Sequence, residues 1–415
     1  MKREDIENAV ELLDDDIIAE AGAVRSAGDP KKTVWVRFAA IAACAVLLVG
    51  AGIWAASGLG GNGGETPIDA ELPMISLSGD PVGAMGFEGY LFNDISEFVS
   101  ANPWNEKNAP DTLPVYKNPL VFDESTMRQY GGDFEEMEAR ARDIAGRLGI
   151  VESALEVSDD APDEEERELI EEKFKEAGVS VPEGYFTPER VIAQAEGVKI
   201  TVDQSLTATV NFDPAVALPE SYNFTHHASY DDKLAAAKYL QEEYSALIGF
   251  SSPVINISKG DYNFYGERSF DIDFFEGGKN LSIAERILNF NFRSIHFACD
   301  DEGKLFIVRL YEHNLTEKLG DYPIVSTDEA KELLTGGYYI TSVPYDMPGE
   351  EYIAKVELVY RTGDHESYFM PYYRFYVELP EELQDNGLKT YGAYYVPAVE
   401  GRYIENMEVW DGSFN

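Results

Sequence analysis

Cysteine is almost missing from this chain: Cys44 and Cys299 are the two copies in 415 residues. Cys44 falls inside an apolar run and Cys299 far beyond it, so a bilayer at that run would rule out a disulfide between them. No C-x-x-C pair occurs, which removes the common zinc and dithiol frameworks. The patterns G-x-S-x-G, H-E-x-x-H and G-x-x-x-x-G-K-[ST] are absent as well. The nucleophile elbow, the zinc-protease helix and the P-loop are thereby excluded. Positive charge is scarce too. The chain carries 33 Lys and Arg against 76 Asp and Glu, a net charge of −43. Beyond Arg37 the count is 27 basic against 67 acidic residues. Such a surface repels phosphates, so nucleic acid is not an expected partner. The surplus of carboxylates reads first as a solubilising surface and second as an attraction for hard cations such as calcium.

Charge is wholly absent from Phe38 to Ala56, FAAIAACAVLLVGAGIWAA. Nineteen such residues match the length of a bilayer-spanning helix. Lys31, Lys32 and Arg37 precede the run, and no Lys or Arg follows until Lys107. That asymmetry places the N-terminus in the cytoplasm and the bulk of the chain outside. Trp35 and Trp54 lie near the two ends, where interfacial aromatics belong. The segment before the run is long and acidic, which favours an uncleaved anchor over a signal peptide. No cysteine directly follows the run, so a lipoprotein anchor is not expected. An exported protein so poor in disulfides points to a bacterial cell.

Before the span, EDIENAVELLDDDIIAEAGAVR reads as an amphipathic helix. Ile6, Val10, Leu13 and Ile17 fall on one face at spacings of four, three and four. An isolated helix of this length is marginal in water, so its apolar stripe calls for a partner. Its acidity makes an anionic inner leaflet the poorer choice and a protein groove the better one. The pattern of Ile6, Ala9, Leu13-Asp14-Asp15-Asp16, Ile18 and Glu20-Ala21, followed by a basic cluster, one span and a Gly-rich linker, resembles clostridial single-pass membrane proteins. Some of these are similar to anti-sigma factors. The resemblance implies a tail that holds a cytoplasmic sigma factor, or another regulator, while the outer part senses.

The outer part divides by composition. Residues 1–33 form the tail, 34–57 the transmembrane helix and 58–85 a Gly- and Pro-rich linker. Then come an α+β region at 86–228 and α+β modules at 229–320 and 321–415. Helices are expected at Phe134–Leu148, with Met137, Ala141, Ile144 and Leu148 on one stripe, and at Glu164–Ala177. Thr187-Pro188-Glu189 has the form of a helix start. Lys199–Phe212 alternates like strands. Ser229 caps a helix reaching about Leu247, with Leu234, Ala237, Leu240, Tyr244 and Leu247 on one face. Strand-like segments follow at Ser269–Phe275, Ser294–Cys299 and Lys304–Tyr311. The pattern restarts at Ser326, giving an α+β class of helix-plus-antiparallel-meander modules. S-x-x-E-A-K-x-L-L-x-x-G-x-Y from Ser326, with Met370–Leu379 (MPYYRFYVEL), resembles PepSY-type modules and the YycH/YycI extracytoplasmic regulators. Over roughly residues 230–400 that resemblance implies domains that bind partner proteins without catalysis.

No residues stand out as catalytic, cofactor-binding or metal-binding, so no enzyme activity is expected. His226-His227 lacks acidic or Cys partners at ligand spacing. His296 lies in an alternating strand and reads as a half-buried neighbour; His313 and His365 fall in turns. Asp271 and Asp273 would share one face of a strand, the geometry of a paired-carboxylate site. The densest polar-aromatic segment, residues 260–278, offers Tyr262, Tyr265 and Arg268 as a ligand face, or else packs as a twisted hairpin. Tyr368, Tyr372, Tyr373 and Tyr376 with Arg374 read as cross-strand packing first and a saccharide or peptide face second. The expected function is an extracytoplasmic sensor or regulator acting through protein contacts. The alternative is a non-catalytic envelope binding or structural protein that its N-terminal helix merely anchors.

Overall fold

The computed structural model describes residues 72–77, 91–92, 98–123, 128–182, 184–263, 265–363, 366–383, 387–407, 409–410 and 412. The tail stripe of Ile6, Val10, Leu13 and Ile17, the run Phe38–Ala56 and most of the expected linker 58–85 lie outside them. So does His365. Within that linker, Ile75 and Ser76 instead form a strand paired in parallel with Ile404 and Glu405, because the Ile75 side chain is buried in a core with Val115 and Tyr322. Among the described residues, no helix is long and apolar enough to cross a membrane.

The chain is α+β, with sheets that are mostly antiparallel. The largest sheet has eight strands: β1 (Glu156–Asp159), β2 (Arg190–Ala195), β3 (Val198–Asp203), β4 (Ala208–Val216), β5 (Pro253–Tyr262), β6 (Arg268–Glu276), β7 (Arg293–Cys299) and β8 (Leu305–Glu312). Their spatial order is β5-β6-β7-β8-β4-β3-β2-β1. Two four-stranded meanders therefore meet through their last strands, with Thr209 opposite Arg309. Joining the two open edges satisfies a row of backbone groups that each meander alone would expose. Segments 86–228 and 229–320 thus share one sheet.

Each meander is preceded by helices on the same face. Helix α1 (Phe134–Arg147) starts at Asp133, whose carboxylate accepts bonds from the Glu135 and Glu136 amides at 2.8 and 3.3 Å. Its buried stripe is Met137, Ala141, Ile144 and Ala145. Helix α2 (Glu164–Glu176) interrupts the first meander, begins with an Asp163/Glu166 capping box and buries no residue. Helices α3 (Tyr230–Glu243) and α4 (Ser245–Ile248) precede the second meander; Ser229 caps α3 and Gly249, at φ 65°, stops α4. The expected face of Leu234, Ala237, Leu240, Tyr244 and Leu247 does meet the core, although the helix breaks at Tyr244, and Lys233 and Ala236 are buried beside it. The Lys233 ammonium lies 5.0 Å from the Phe224 ring centroid, and burial pushes its pKa down.

Strand alternation explains the two faces of the sheet. Phe270, Ile272 and Phe274 of β6 enter the core beneath α1, α3 and α4, while Asp271 and Asp273 lie on the other face. Thr187-Pro188-Glu189 does not open a helix. β2 begins at Arg190 because Val191 and Ala193 alternate into this core. The Asp160 carboxylate then takes the Glu189 and Arg190 amides at 2.9 Å each, holding the chain extended.

The C-terminal part carries the third helix-and-meander. Helix α6 (Thr327–Thr335) has a Ser326/Glu329 capping box. The strands Ile353–Tyr360, Pro371–Glu378 and Thr390–Pro397 follow as an antiparallel meander. Its tyrosine-rich core is tolerable because buried hydroxyls donate to carbonyls: Tyr360 to Pro114 and Tyr373 to Val325, both at 2.8 Å. Tyr372 and Tyr376 are buried on the other face, so cross-strand packing is the observed role of that cluster. Helix α5 (Ile283–Phe292) joins the two sheets. It packs on β6 and β7, while its Ile287 and Phe292 belong to the second core. The Asn291 side chain accepts the Tyr360 amide at 3.0 Å.

Candidate ligand-binding cleft

A cleft of about 470 Å³ opens where one end of the large sheet meets the second core. That size is ordinary for a small-molecule site. Its floor is the end of the β3–β4 hairpin and of β8. The hairpin turn is set by Asp203, which accepts bonds from the Ser205 amide at 3.0 Å, the Ser205 hydroxyl at 2.6 Å and the Thr207 amide at 3.1 Å. Gln204 is buried and ties two walls together. Its amide oxygen accepts the Gly132 N–H at 3.2 Å and its nitrogen donates to the Pro188 carbonyl at 3.2 Å. A Cβ on Gly132 would stand 2.5 Å from the Gln204 Cβ, so only glycine permits this approach. The opposite wall is fixed by Asn118, also buried, which donates to the Glu366 carbonyl at 2.9 Å and accepts the Leu120 amide at 3.1 Å. Thr362, Gly363 and Phe369 complete that side, and Tyr311, His313 and Asn314 line the β8 side. The His313 ring rests against Phe292 and Phe369 at centroid distances of 5.6 and 5.5 Å.

Among the described residues, the lining carries the carboxylates of Asp133, Glu136 and Asp203 and no Lys or Arg. Buried amides locked by backbone partners make the walls rigid, which lowers the ordering cost of binding. Strand register connects the cleft to the polar face of the sheet, which is covered at its Asn256 end, where that side chain is buried and accepts the Ala101 amide at 2.7 Å. Asn256, Asp273, His296, Arg309, Thr209 and Thr201 form a polar row across six strands. Tyr311, two residues beyond Arg309 on the same face, belongs to the next row, at the cleft.

The proposed ligand face of Tyr262, Tyr265 and Arg268 is elsewhere, at the β5–β6 turn and the opposite end of the sheet. Arg268 donates to the Gly260 carbonyl at 3.0 Å, and its guanidinium lies over the Phe270 and Tyr262 rings at 4.6 and 5.8 Å. Only Tyr265, 88% exposed at the tip, projects freely. His226 and His227 bridge a loop to two turns: His226 Nε2 is 3.9 Å from Asp301, and His227 Nε2 is 3.5 Å from Glu267. Among the described residues, no group of three His, Cys, Asp or Glu could hold a metal ion.

Asp271 and Asp273 do share a face, but each has its own partner. Asp271 meets the Lys259 ammonium at 2.9 Å. Asp273 accepts from the Ser258 hydroxyl at 3.1 Å and lies 2.8 Å from His296 Nδ1. Burial pushes the His296 pKa down, but the hydrogen bond and charge of Asp273, with the charge of Asp271, outweigh it and raise the pKa above 6.5. The imidazolium–carboxylate pair therefore adds stability that is fully present below pH 6.5 and is lost as pH rises through the folded value. NMR titration of the imidazole should place His296 above the ordinary histidine value, and Asp273→Asn should lower it. An unmoved titration in the variant would refute the pairing.

Local sequence said little of the cleft, because its lining comes from separate stretches, residues 118–120, 129–136, 203–207, 311–314, 362–363 and 369. The one usable signal was Gly131-Gly132 ahead of a helix-capping Asp133. Neither a family model nor a curated protein matches the chain.

Proposed function

We propose that this chain is a bacterial single-pass membrane protein whose outer unit is a sensor, with the cleft as its input. The tail helix, through Ile6, Val10, Leu13 and Ile17, is the output, engaging a cytoplasmic sigma factor or a comparable regulator. The observation that carries this reading is the cleft itself, a rigid recess that closes only when several distant stretches of chain converge. Further support comes from the charge-free run Phe38–Ala56 with its positive N-terminal flank. The likeness to anti-sigma tails and to YycH/YycI regulators agrees with both.

A transcription reporter with two variants tests the proposal. Thr362→Trp, which fills the cleft, should shift reporter output several-fold. Leu13→Asp should abolish capture of the cytoplasmic partner by the tail and remove that shift. If both variants leave capture and transcription unchanged, the chain is an anchored envelope binding or structural protein instead.

A further inference from the structure

We propose that the middle of the polar face of the large sheet seats an extended acidic segment of a partner protein, whose carboxylates are taken by Arg309 and Lys199. This seat shares no residue with the lining of the cleft and stands apart from any reading of it.

Register places five side chains side by side on three neighbouring strands. Arg309 of β8 is opposite Thr209 of β4, which is opposite Thr201 of β3. One row further along, Asn211 of β4 is opposite Lys199 of β3. All five lie on the face away from α1 and α3, because their chain neighbours Val308, Val210 and Ile200 enter the core beneath those helices. Arg309 and Lys199 are exposed, and the other three are half-buried. Among the described residues, none of the five side chains has a hydrogen bond or an ion pair.

A contrast within this one face points to a carboxylate. Towards β5 and β6 the charges are matched internally: Lys259 meets Asp271 at 2.9 Å, and His296 meets Asp273 at 2.8 Å. In the middle, two cations stand without a carboxylate in a chain that carries 76 Asp and Glu. A guanidinium presents a planar fork matched to a carboxylate, and the ammonium, two hydroxyls and an amide beside it add further donors. Sheet spacings of about 4.8 Å between strands and about 3.4 Å per residue put the Arg309 and Lys199 Cα atoms about 12 Å apart. Positions i and i+4 of an extended segment lie about 14 Å apart on one side of the chain, a span that long Arg and Lys side chains can meet. Ile307, opposite Asn211, and Ile192, opposite Thr201, are half-buried and give such a segment apolar contact. None of these seven residues is aromatic, which leaves a sugar ring without a stacking platform and favours a peptide.

The test uses the full-length chain in nanodiscs of zwitterionic lipid at about 0.15 M salt, where diffuse electrostatics are screened beyond roughly 8 Å. The probe is a fluorescent peptide with glutamate at every fourth position and threonine elsewhere, since threonine favours an extended chain. A control peptide has glutamine in place of glutamate. Anisotropy should show saturable binding of the glutamate peptide, weakened about tenfold by Arg309→Ala and about fivefold by Lys199→Ala. Lys238→Ala, at an exposed position of α3 on the opposite side of the sheet, should have no effect. All three substitutions replace exposed side chains, so the fold is kept. The inference is overturned if the glutamate peptide does not bind, if the glutamine peptide binds equally, or if Lys238→Ala costs as much as Arg309→Ala. Displacement of the peptide by an equal concentration of a sulfated disaccharide would overturn it in favour of a saccharide. Self-association in sedimentation that Arg309→Ala abolishes would overturn it in favour of a second copy of this chain. None of these outcomes bears on the Thr362→Trp reporter, which tests the cleft separately.

Discussion

Glu357→Ala should lower the unfolding free energy by about 3–5 kcal/mol, the cost of breaking a buried ion cluster from one side. Glu357 is 4% exposed, on the strand Ile353–Tyr360. Arg374 reaches it at 2.6 Å from the neighbouring strand and Lys355 at 2.9 Å from its own. Both cations are further occupied by aromatic faces: Lys355 lies 4.9 Å from the Phe98 ring and Arg374 5.1 Å from the Tyr376 ring. Alanine would leave the two positive charges without their shared carboxylate. Burial pushes the Glu357 pKa up, but the charges and hydrogen bonds of Arg374 and Lys355 outweigh it and hold the carboxyl below 4.5. The cluster therefore contributes stability above the ordinary glutamate value and loses it as pH falls through the folded value. Chemical denaturation of wild type and variant at pH 7 measures the loss. The double variant Glu357→Leu/Arg374→Leu should recover much of it, because removing both charges also removes the desolvation cost. A single variant as stable as the wild type would show that the cluster is not held together.

Phe292→Ala has a comparable expected cost, about 3–5 kcal/mol, by cavity formation. Phe292 ends α5 and is 2% exposed. Its ring meets Tyr360 at 4.9 Å, Phe369 at 5.4 Å and His313 at 5.6 Å. Two of those neighbours, Phe369 and His313, also line the cleft. The substitution should therefore loosen the recess as well as the core, while Phe292→Leu, nearer in volume, should cost less. Denaturant midpoints of the two variants check the order; equal midpoints would mean that the ring does not bridge the sheets.

These predictions draw on parts of the fold that differ in how well the sequence announced them. Helix α1 was legible because Met137, Ala141 and Ile144 recur at helical spacing beside a polar face. Helix α2 was legible through its caps, Asp163 at the start and Gly178, at φ 74°, past the end. β7 alternates between a buried and a more open face, while β8 does so only from Val308, past a register shift between Leu305 and Ile307. Helix α5 was not seen. It is short, ten residues opened by a Ser282/Glu285 capping box, and it sits between two sheets, with Ile287 and Phe292 in one core and Phe290 against Phe275 of β6. The first helix-and-meander also escaped notice, because α2 is inserted between its strands β1 and β2. Arg268 looked available in sequence but is committed to Gly260, Tyr262 and Phe270, an outcome decided by hairpin register. The cleft could not be anticipated locally, since each wall is an unremarkable turn and only their convergence makes a recess.

The central claim is a cleft that faces the outside of a cell while the tail stays within, and thiol labelling of intact cells tests it most directly. The chain would carry Cys44→Ser and Cys299→Ala, with a single new thiol at either Thr362→Cys in the cleft or Ser26→Cys in the tail. A membrane-impermeant maleimide should modify the cleft thiol in intact cells and the tail thiol only after permeabilisation. Labelling of the tail thiol in intact cells, or of the cleft thiol only after permeabilisation, would contradict the account.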